Sequence, residues 1–369
     1  METSRNSLRV IIAGGGTGGH IFPAIAIAHE LRRQVPQVEI LFVGAKGKME
    51  MEKVPEAGYR IEGIDIAGFN RSSLLKNVGL PWKLVKSFLQ VRRIVSGFKP
   101  DAVIGVGGYS SFPVLRYAQH RGIPTFIHES NSFAGRSNKL LGQKAAKVFV
   151  ATDGMEKFFP AEKIVITGNP VRRDIGEVRQ IAKEEALKFF GLAGGKETVL
   201  VIGGSLGARS INEGIAAGLD ALQQADLQLI WQTGKTDAGK WKELAQGRTN
   251  VFVNDFIREM KYAYAAADIV ISRAGAMAIA ELCLVQKPVL FVPYPFAAED
   301  HQTVNAMNLV SKQAALMVKD SEVKEKLVAV LLSLAAEAQQ QEMLKSNIGK
   351  QKKEDADKQI IDEMLAYLK

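Results

Sequence analysis

The 369-residue chain is 47% hydrophobic and 24% charged, an ordinary globular composition spread over more residues than one core usually serves, so two domains are expected. Its net charge of +9 points to an anionic partner, whether nucleic acid, an acidic membrane surface or a phosphorylated substrate. The single Cys283 excludes an intrachain disulfide and a cysteine-built metal site, and no apolar run approaches the roughly 20 residues of a membrane-spanning helix.

The first residues carry no leader-like apolar segment, so no secretory signal is expected, and one cysteine suits a reducing cytoplasm. Val10–Ala13 reads as a short buried strand, followed by Gly14–Gly16, then Thr17, Gly18, Gly19 and His20, then an apolar helical pattern with Pro23 near its start. Strand, glycine turn and helix N-terminus form a place for an anion, because close backbone approach, unpaired N–H groups and the helix dipole all favour negative charge there. The spacing Gly14-x-Gly16-x-x-Gly19 also fits a dinucleotide fingerprint, but the second strand, Val38–Val43, ends in Gly44, Ala45 and Lys46 without the acid that would hold a ribose.

Further strands are read at Ala102–Val106, Pro124–His128, Lys147–Ala151 and Ile164–Ile166, with helices between them, as at Ile25–Gln34 and Val114–His120. Such alternation predicts a parallel sheet covered on both faces, with ligands at the carboxyl ends of the strands. The second half repeats the plan. Thr198–Ile202 leads into the loop Gly203–Arg209; Asp101–Val106 and its glycine loop have a partner in Asp268–Ser272 and Arg273–Ala276; Gly122–His128 matches Gln286–Val292. The expected fold is α/β, two Rossmann-like domains whose parallel sheets face a cleft: residues 1–169, residues 170–350 jointed at Gly168-Asn169-Pro170, and a tail, 351–369, whose apolar residues at helical spacing form a helix packing back toward the first domain. Between Asp65 and Asp101 there is no acid, while Arg71, Lys76, Lys83, Lys86, Arg92, Arg93 and Lys99 interleave with Phe69, Leu74, Leu75, Val78, Leu80, Trp82, Leu84, Val85, Phe88 and Leu89. That mixture suits a membrane interface, although a helix over Trp82–Phe98 must also cover the sheet.

In the second half, the loop at Gly203–Arg209 would cradle a diphosphate, with Ser205 as a donor, and Glu281 could accept from a ribose diol. The one Asp-x-Asp, Asp355-Ala356-Asp357, falls in the charged tail, so a diphosphate leaving group would be stabilised by helix dipole and arginine, with no metal and no cofactor called for.

Eight motifs in order, GGGTGGHIFPA, GGYSSFP, HESN with the following AG, GNPVR, GGSLGAR, NDFI, SRAGAMAIAE and DHQTVNA, cover nearly the whole chain and together resemble the MurG family of glycosyltransferase family 28. The resemblance implies a GT-B fold. It implies transfer of N-acetylglucosamine from UDP-N-acetylglucosamine to the 4-hydroxyl of the muramyl sugar of lipid I, with inversion, by a peripheral enzyme at the cytoplasmic face of the inner membrane. The implied partners are donor, lipid I and an anionic membrane surface, with no nucleic acid; other cell-wall synthesis proteins are admitted without residues assigned to them. By the same resemblance the donor touches Thr17, Gly18, Gly19 and Asn131 in the first domain. In the second it meets Arg172, Ser205, the backbone at Ile257, the turn Ala276, Met277, Ala278, Ile279, Ala280 and Glu281, and Gln302. His20 stands near the reacting centre, and Glu129 is the alternative base. The chain departs from the family at Ser130, where a glutamine is common, and at Ala274, Ala278 and Ala280, where hydroxyl residues are, so anion binding at that turn would rest on backbone amides. A UDP-sugar epimerase shares the fold without needing an acceptor face, a glycosyltransferase acting on diacylglycerol differs only in its acceptor, and a dinucleotide-binding regulator is the third alternative.

Overall fold

The computed structural model describes residues 7–67, 80–171, 173–204 and 206–369. The described chain divides into two compact units, the first running to Val171 and taking in Glu354–Lys369, the second spanning Arg172–Lys353.

The first unit is a seven-stranded parallel sheet in the order β3-β2-β1-β4-β5-β6-β7. Its elements run β1 (Arg9–Ala13), α1 (Gly18–Gln34), β2 (Glu39–Ala45), α2 (Glu50–Glu56), β3 (Arg60–Ile64), α3 (Leu80–Phe98), β4 (Ala102–Gly105), α4 (Ser111–His120), β5 (Thr125–Glu129), α5 (Arg136–Gly142), β6 (Lys147–Val150) and β7 (Ile164–Ile166). Both faces of the sheet are covered. Val10 and Ile12 join a core with Ile27 and Leu31 of α1, while Ile11 and Ala13 turn the other way to Val91 and Val95 of α3 and Val114 and Leu115 of α4. That two-sided burial is why the strands read as unbroken apolar runs. The exception is β3, which the sequence reading passed over: it is an edge strand, and Arg60 and Glu62 point outward, breaking the apolar signal.

The second unit has a six-stranded parallel sheet, ordered β10-β9-β8-β11-β12-β13. In sequence it comprises α6 (Arg173–Gly176), α7 (Lys183–Phe189), β8 (Thr198–Ile202), α8 (Arg209–Gln224), β9 (Gln228–Gln232), α9 (Ala238–Leu244), β10 (Val251–Asn254), α10 (Met260–Ala266), β11 (Ile269–Ser272), α11 (Ala276–Val285), β12 (Val289–Phe291), α12 (His301–Val310), β13 (Leu316–Met317), α13 (Val323–Ala336) and α14 (Ala338–Gly349). The chain then returns to the first unit as α15 (Ala356–Leu368), whose Ile360, Ile361 and Met364 are buried against α1's side of the sheet.

The internal repeat maps onto the two sheets: β1 and β8, β4 and β11, and β5 and β12 occupy equivalent places. The match extends to one hydrogen-bond device. Asp101 accepts from the N–H of Arg9 at 2.8 Å, and Asp268 accepts from the N–H of Thr198 at 2.8 Å, so each acid fastens the start of its unit's first strand. In each unit the chain leaves the first strand in one direction and later returns to its other side, placing a switch point between β1 and β4 and between β8 and β11. Crevices for ligands form at the carboxyl ends of such pairs.

Backbone meets backbone at the first switch point. The Gly15 N–H donates to Gly107 O at 3.2 Å, and a Cβ on Gly108 would lie 2.3 Å from Gly15 O. Gly122 has a similar positive φ, +71 against +86 for Gly108, but open space around it. Gly122→Ala is therefore expected to cost only the left-handed strain, about 1–2 kcal/mol, and Gly108→Ala about 1–3 kcal/mol more from overlap. Urea midpoints of the two variants measure the difference.

Candidate functional site

At the carboxyl end of β1 the three glycines take φ of +150, +146 and +89. Their N–H groups are all committed within the protein: Gly14 to Val43 O at 3.2 Å, Gly15 to Gly107 O at 3.2 Å and Gly16 to the Glu50 carboxylate at 2.8 Å. The unpaired N–H groups expected at this strand–turn–helix junction are therefore not those of Gly14, Gly15 or Gly16. The donors that face outward belong to the next turn, where Thr17 caps α1 in an extended conformation and Gly18 and Gly19 are its first two residues, whose N–H groups have no intrahelical acceptor.

His20 stands in the same turn, half-buried. Its Nδ1 is 3.2 Å from Gly15 O and 3.4 Å from the Thr17 hydroxyl, and a Cβ on Gly107 would lie 2.8 Å from its Nε2. A carbonyl oxygen only accepts, so the contact with Gly15 assigns the Nδ1 proton and leaves Nε2 as the basic nitrogen of the neutral ring.

Glu129 closes β5 and is 3% exposed. One oxygen accepts from the Asn131 N–H at 3.1 Å and the Asn131 side-chain amide at 3.3 Å; the other accepts from the Gly135 N–H at 3.1 Å and the Asn138 amide at 2.8 Å. The carboxylate thus organises the loop that leads into α5 and orients Asn131. Neighbouring His128 is fully buried, and burial, with His20 adding to it, pushes it from the usual 6.5 down to about 4, against the Gly168 backbone and the Asn169 side chain, which favour its charged form.

In the second unit, Gly207 and Gly234 are in backbone contact, a Cβ on Gly234 lying 2.0 Å from Gly207 N, and the Gly207 N–H turns back to Gly204 O at 3.1 Å. Gln232 at the end of β9 bridges the loops, donating to Gly204 O at 3.3 Å and accepting from the Ile257 N–H at 2.9 Å. The Ile257 amide is therefore occupied. After β11, Gly275 caps α11, whose Ala276–Glu281 stretch is half-buried. Glu281 accepts from the Tyr264 hydroxyl at 3.0 Å, which holds it in place. Gln302, in the first turn of α12, accepts from the Tyr294 N–H at 2.9 Å, turning its amide NH₂ the other way. Arg273 ties this end of the sheet together: it donates to Val292 O and Pro293 O at 3.0 and 3.1 Å, to Asp320 at 2.6 Å and to Ser210 at 3.0 Å.

In the first unit, then, the structure brings together Thr17, Gly18, Gly19 and His20, and separately Glu129 with Asn131. In the second, Ala276–Glu281 share one helix, while Ile257 and Gln302 are each fixed by a local hydrogen bond. Arg172 and Ser205 lie outside the described residues. Glu50, Gln232, Tyr264 and Arg273 were not singled out from sequence. They act through residues far along the chain, and a buried acid at a helix start, as at Glu50, is the only local signal any of them gives.

The family model for the glycosyltransferase family 28 N-terminal domain matches residues 10–150, and that for the C-terminal domain matches residues 198–360. The chain belongs to glycosyltransferase family 28. Curated family members similar to it include the "UDP-N-acetylglucosamine--N-acetylmuramyl-(pentapeptide) pyrophosphoryl-undecaprenol N-acetylglucosamine transferase" of Parabacteroides distasonis, 51% identical over 98% of each chain. The protein of the same name from Phocaeicola vulgatus is 52% identical over 93% of this chain and 92% of its own. Among solved structures, MurG of Acinetobacter baumannii superposes with a TM-score of 0.80 at 28% identity, covering 97% of this chain and 99% of that one. A UDP-GlcNAc 2-epimerase from Neisseria meningitidis superposes at 0.65 with 14% identity over 97% and 100%, a likeness of fold alone.

The depressed His128 gives this family 28 chain a measurable pH dependence. Above about 6.5 the ring is neutral folded and unfolded; as pH falls from 6.5 toward 4, the unfolded chain takes up the proton and the folded one does not. Stability is therefore lost over that window, by up to about 3 kcal/mol from this group. His128→Asn is expected to flatten the fall in urea midpoint between pH 7.5 and 4.5 relative to wild type.

Proposed function

We infer that this glycosyltransferase moves N-acetylglucosamine from UDP-N-acetylglucosamine to the 4-hydroxyl of the muramyl sugar of undecaprenyl-pyrophosphoryl-MurNAc-pentapeptide, turning lipid I into lipid II with inversion. The observation that carries this reading is the match at 51% identity, over 98% of both chains, to a transferase named for that donor and acceptor. The reaction breaks the bond from the anomeric carbon to the UDP oxygen, forms one to the acceptor's 4-oxygen, and needs a base for the hydroxyl proton. His20 is that base in our reading. Its Nδ1 proton is directed at Gly15 O, which presents Nε2 as the acceptor. Glu129 is the weaker candidate, because its oxygens are engaged in four hydrogen bonds that hold the Asn131 loop.

Donor recognition uses Thr17, Gly18, Gly19 and Asn131 from the first unit, and Arg172, Ser205, the Ile257 backbone, Ala276–Glu281 and Gln302 from the second. Since the Ile257 N–H is taken by Gln232, backbone recognition at that position runs through its carbonyl. The Ala276, Met277 and Ala278 amides at the start of α11 receive a phosphate through backbone and dipole, as the alanines at Ala278 and Ala280 require. Glu281 holds the ribose diol. With radiolabelled donor and a short-chain lipid I analogue, the protein is expected to yield labelled lipid II analogue, and with donor alone no epimer. In the same assay Glu281→Ala is expected to raise KM for the donor by roughly 10- to 100-fold, the loss of a charge-assisted bond, and Tyr264→Phe by less.

An acceptor with an undecaprenyl chain must be met at a membrane surface. Among the described residues no helix is long and apolar enough to cross a bilayer. We place the contact on α3. Ser87, Val91 and Val95 bury its inner side, while Trp82 at 76%, Val85 at 54% and Leu89 at 62% exposure recur along the opposite side, with Lys83, Arg92 and Arg93 exposed around them. Phe69, Arg71, Leu74, Leu75, Lys76 and Val78, part of the same basic and apolar stretch, lie outside the described residues. Lys86 contributes less than its sequence suggests: with Gln90 and Lys46 it binds Asp65, and the three together hold that carboxyl down at about 2. The enzyme in this reading is peripheral, on the cytoplasmic leaflet, with the donor in the aqueous phase. The triple variant Trp82→Ser, Lys83→Glu, Leu89→Ser is expected to co-sediment with anionic vesicles several-fold less than wild type at low salt, while transfer to the short-chain soluble acceptor is retained.

A further inference from the structure

Glu50 is a buried carboxylate with no part in the roles assigned above. It opens α2, 1% exposed, more than 30 residues along the chain from the glycine loop it touches. One oxygen accepts from the Gly16 N–H at 2.8 Å and the other from the Ala45 N–H at 3.0 Å. The side chain fills space that two glycines leave open: a Cβ on Gly15 would lie 2.3 Å from its carboxyl carbon, and one on Gly44 2.5 Å from its Cγ. A side chain at either position would push Glu50 from its place, and Gly15 also takes a φ of +146, so the two glycines shape the seat that Glu50 occupies.

The seat lies directly under the residue that contacts the imidazole. Gly15 is held by its N–H on Gly107 O and by the Glu50 carboxyl beneath it, and its own carbonyl lies 3.2 Å from His20 Nδ1. The Gly16 peptide is turned so that its N–H faces Glu50, which fixes the direction of the preceding Gly15 carbonyl, because the two groups share one planar peptide unit. The carboxylate thus determines where that carbonyl points, and the carbonyl determines which imidazole nitrogen carries the proton.

We propose that Glu50 is a positioning residue for the transfer reaction: through the Gly15–Gly16 peptide it holds His20 in the Nδ1–H tautomer, which makes Nε2 the basic nitrogen of the ring. The proposal rests on the reading of His20 as the base, but its central claim, coupling between Glu50 and the His20 tautomer, is a property of the resting protein. Glu50→Gln keeps the size of the side chain yet offers one acceptor oxygen where two N–H groups require two; its NH₂ faces the other amide, and the peptide must turn. Glu50→Asp keeps the charge but is one methylene too short to serve both amides.

The chain has five histidines, so nitrogen-15 imidazole spectra of the full-length protein, assigned with His20→Ala, resolve the tautomer of each. Wild-type His20 is expected as Nδ1–H, and Glu50→Gln is expected to shift it toward a tautomer mixture while His29 and His120 stay unchanged. In the transfer assay kcat is expected to fall at least tenfold in Glu50→Gln, with the donor KM changed less than threefold. Glu50→Asp is expected to lie between Glu50→Gln and wild type. In a double-mutant cycle the effect of Glu50→Gln disappears in a His20→Ala background, where a purely structural loss would persist. An Nε2–H tautomer in the wild type, or an unchanged His20 spectrum in Glu50→Gln, overturns the proposal, and the wild-type spectrum decides even if a variant fails to fold. An active His20→Ala with the spectral coupling intact would instead remove His20 as the base and leave the coupling standing.

Discussion

The first unit's site depends on backbone packed against backbone at the ends of β1 and β4. Gly15 and Gly108 approach so closely that no Cβ fits between them, and Gly107 is pressed against the His20 ring in the same way. Close packing of this kind is a sharp constraint, since protein interiors absorb even one added methyl group poorly. Once the two loops interlock, the start of α1, the side chain of His20 and the outward amides of Gly18 and Gly19 have one arrangement available. The second unit applies the same constraint between Gly207 and Gly234, at a different pair of strand ends, to locate the start of α8.

This arrangement changes what the glycine-rich motif is for. The N–H groups of Gly14, Gly15 and Gly16 are spent inside the protein, on Val43, Gly107 and Glu50. The glycines are needed for positive φ and for room, and the N–H groups without an intrahelical acceptor are those of the first turn of α1. Two buried carboxylates, Glu50 under one loop and Glu129 within another, supply the acceptors that keep these turns rigid, each binding at least two backbone or side-chain amides. Bonds from N–H groups to an ionised oxygen are among the stronger hydrogen bonds available to a loop.

Sheet order and the strands β9, β10 and β13 emerge only in three dimensions, but the repeat relating the two units and most other strands could be read from apolar runs and glycine punctuation, because those signals are local. Edge strand β3 could not, since half its residues face water. The candidate site could be named from sequence where a motif lies in one stretch, as from Thr17 to His20 or from Ala276 to Glu281, which the structure keeps in one turn and one helix. It was illegible where a residue acts across the fold: Glu50 reaches Gly16, Gln232 reaches Ile257, and Tyr264 reaches Glu281, each pair brought together only by strand pairing and helix packing. Lys86 shows the converse, a charge counted from sequence as lipid-facing that tertiary structure hands to Asp65.

The position of α15 has a consequence for synthesis. The first unit's core is completed by Ile360, Ile361 and Met364, yet these residues follow the whole of the second unit in the chain. While residues 172–353 are being made, Ile27, Leu31 and their neighbours on α1 lack part of their apolar cover, and the nascent first unit carries an exposed sticky face. Incomplete units of that kind are where aggregation and chaperone capture begin. The enzyme thus finishes its N-terminal half last, and loss of a few residues near 360 would damage the half that lies farthest from them in sequence.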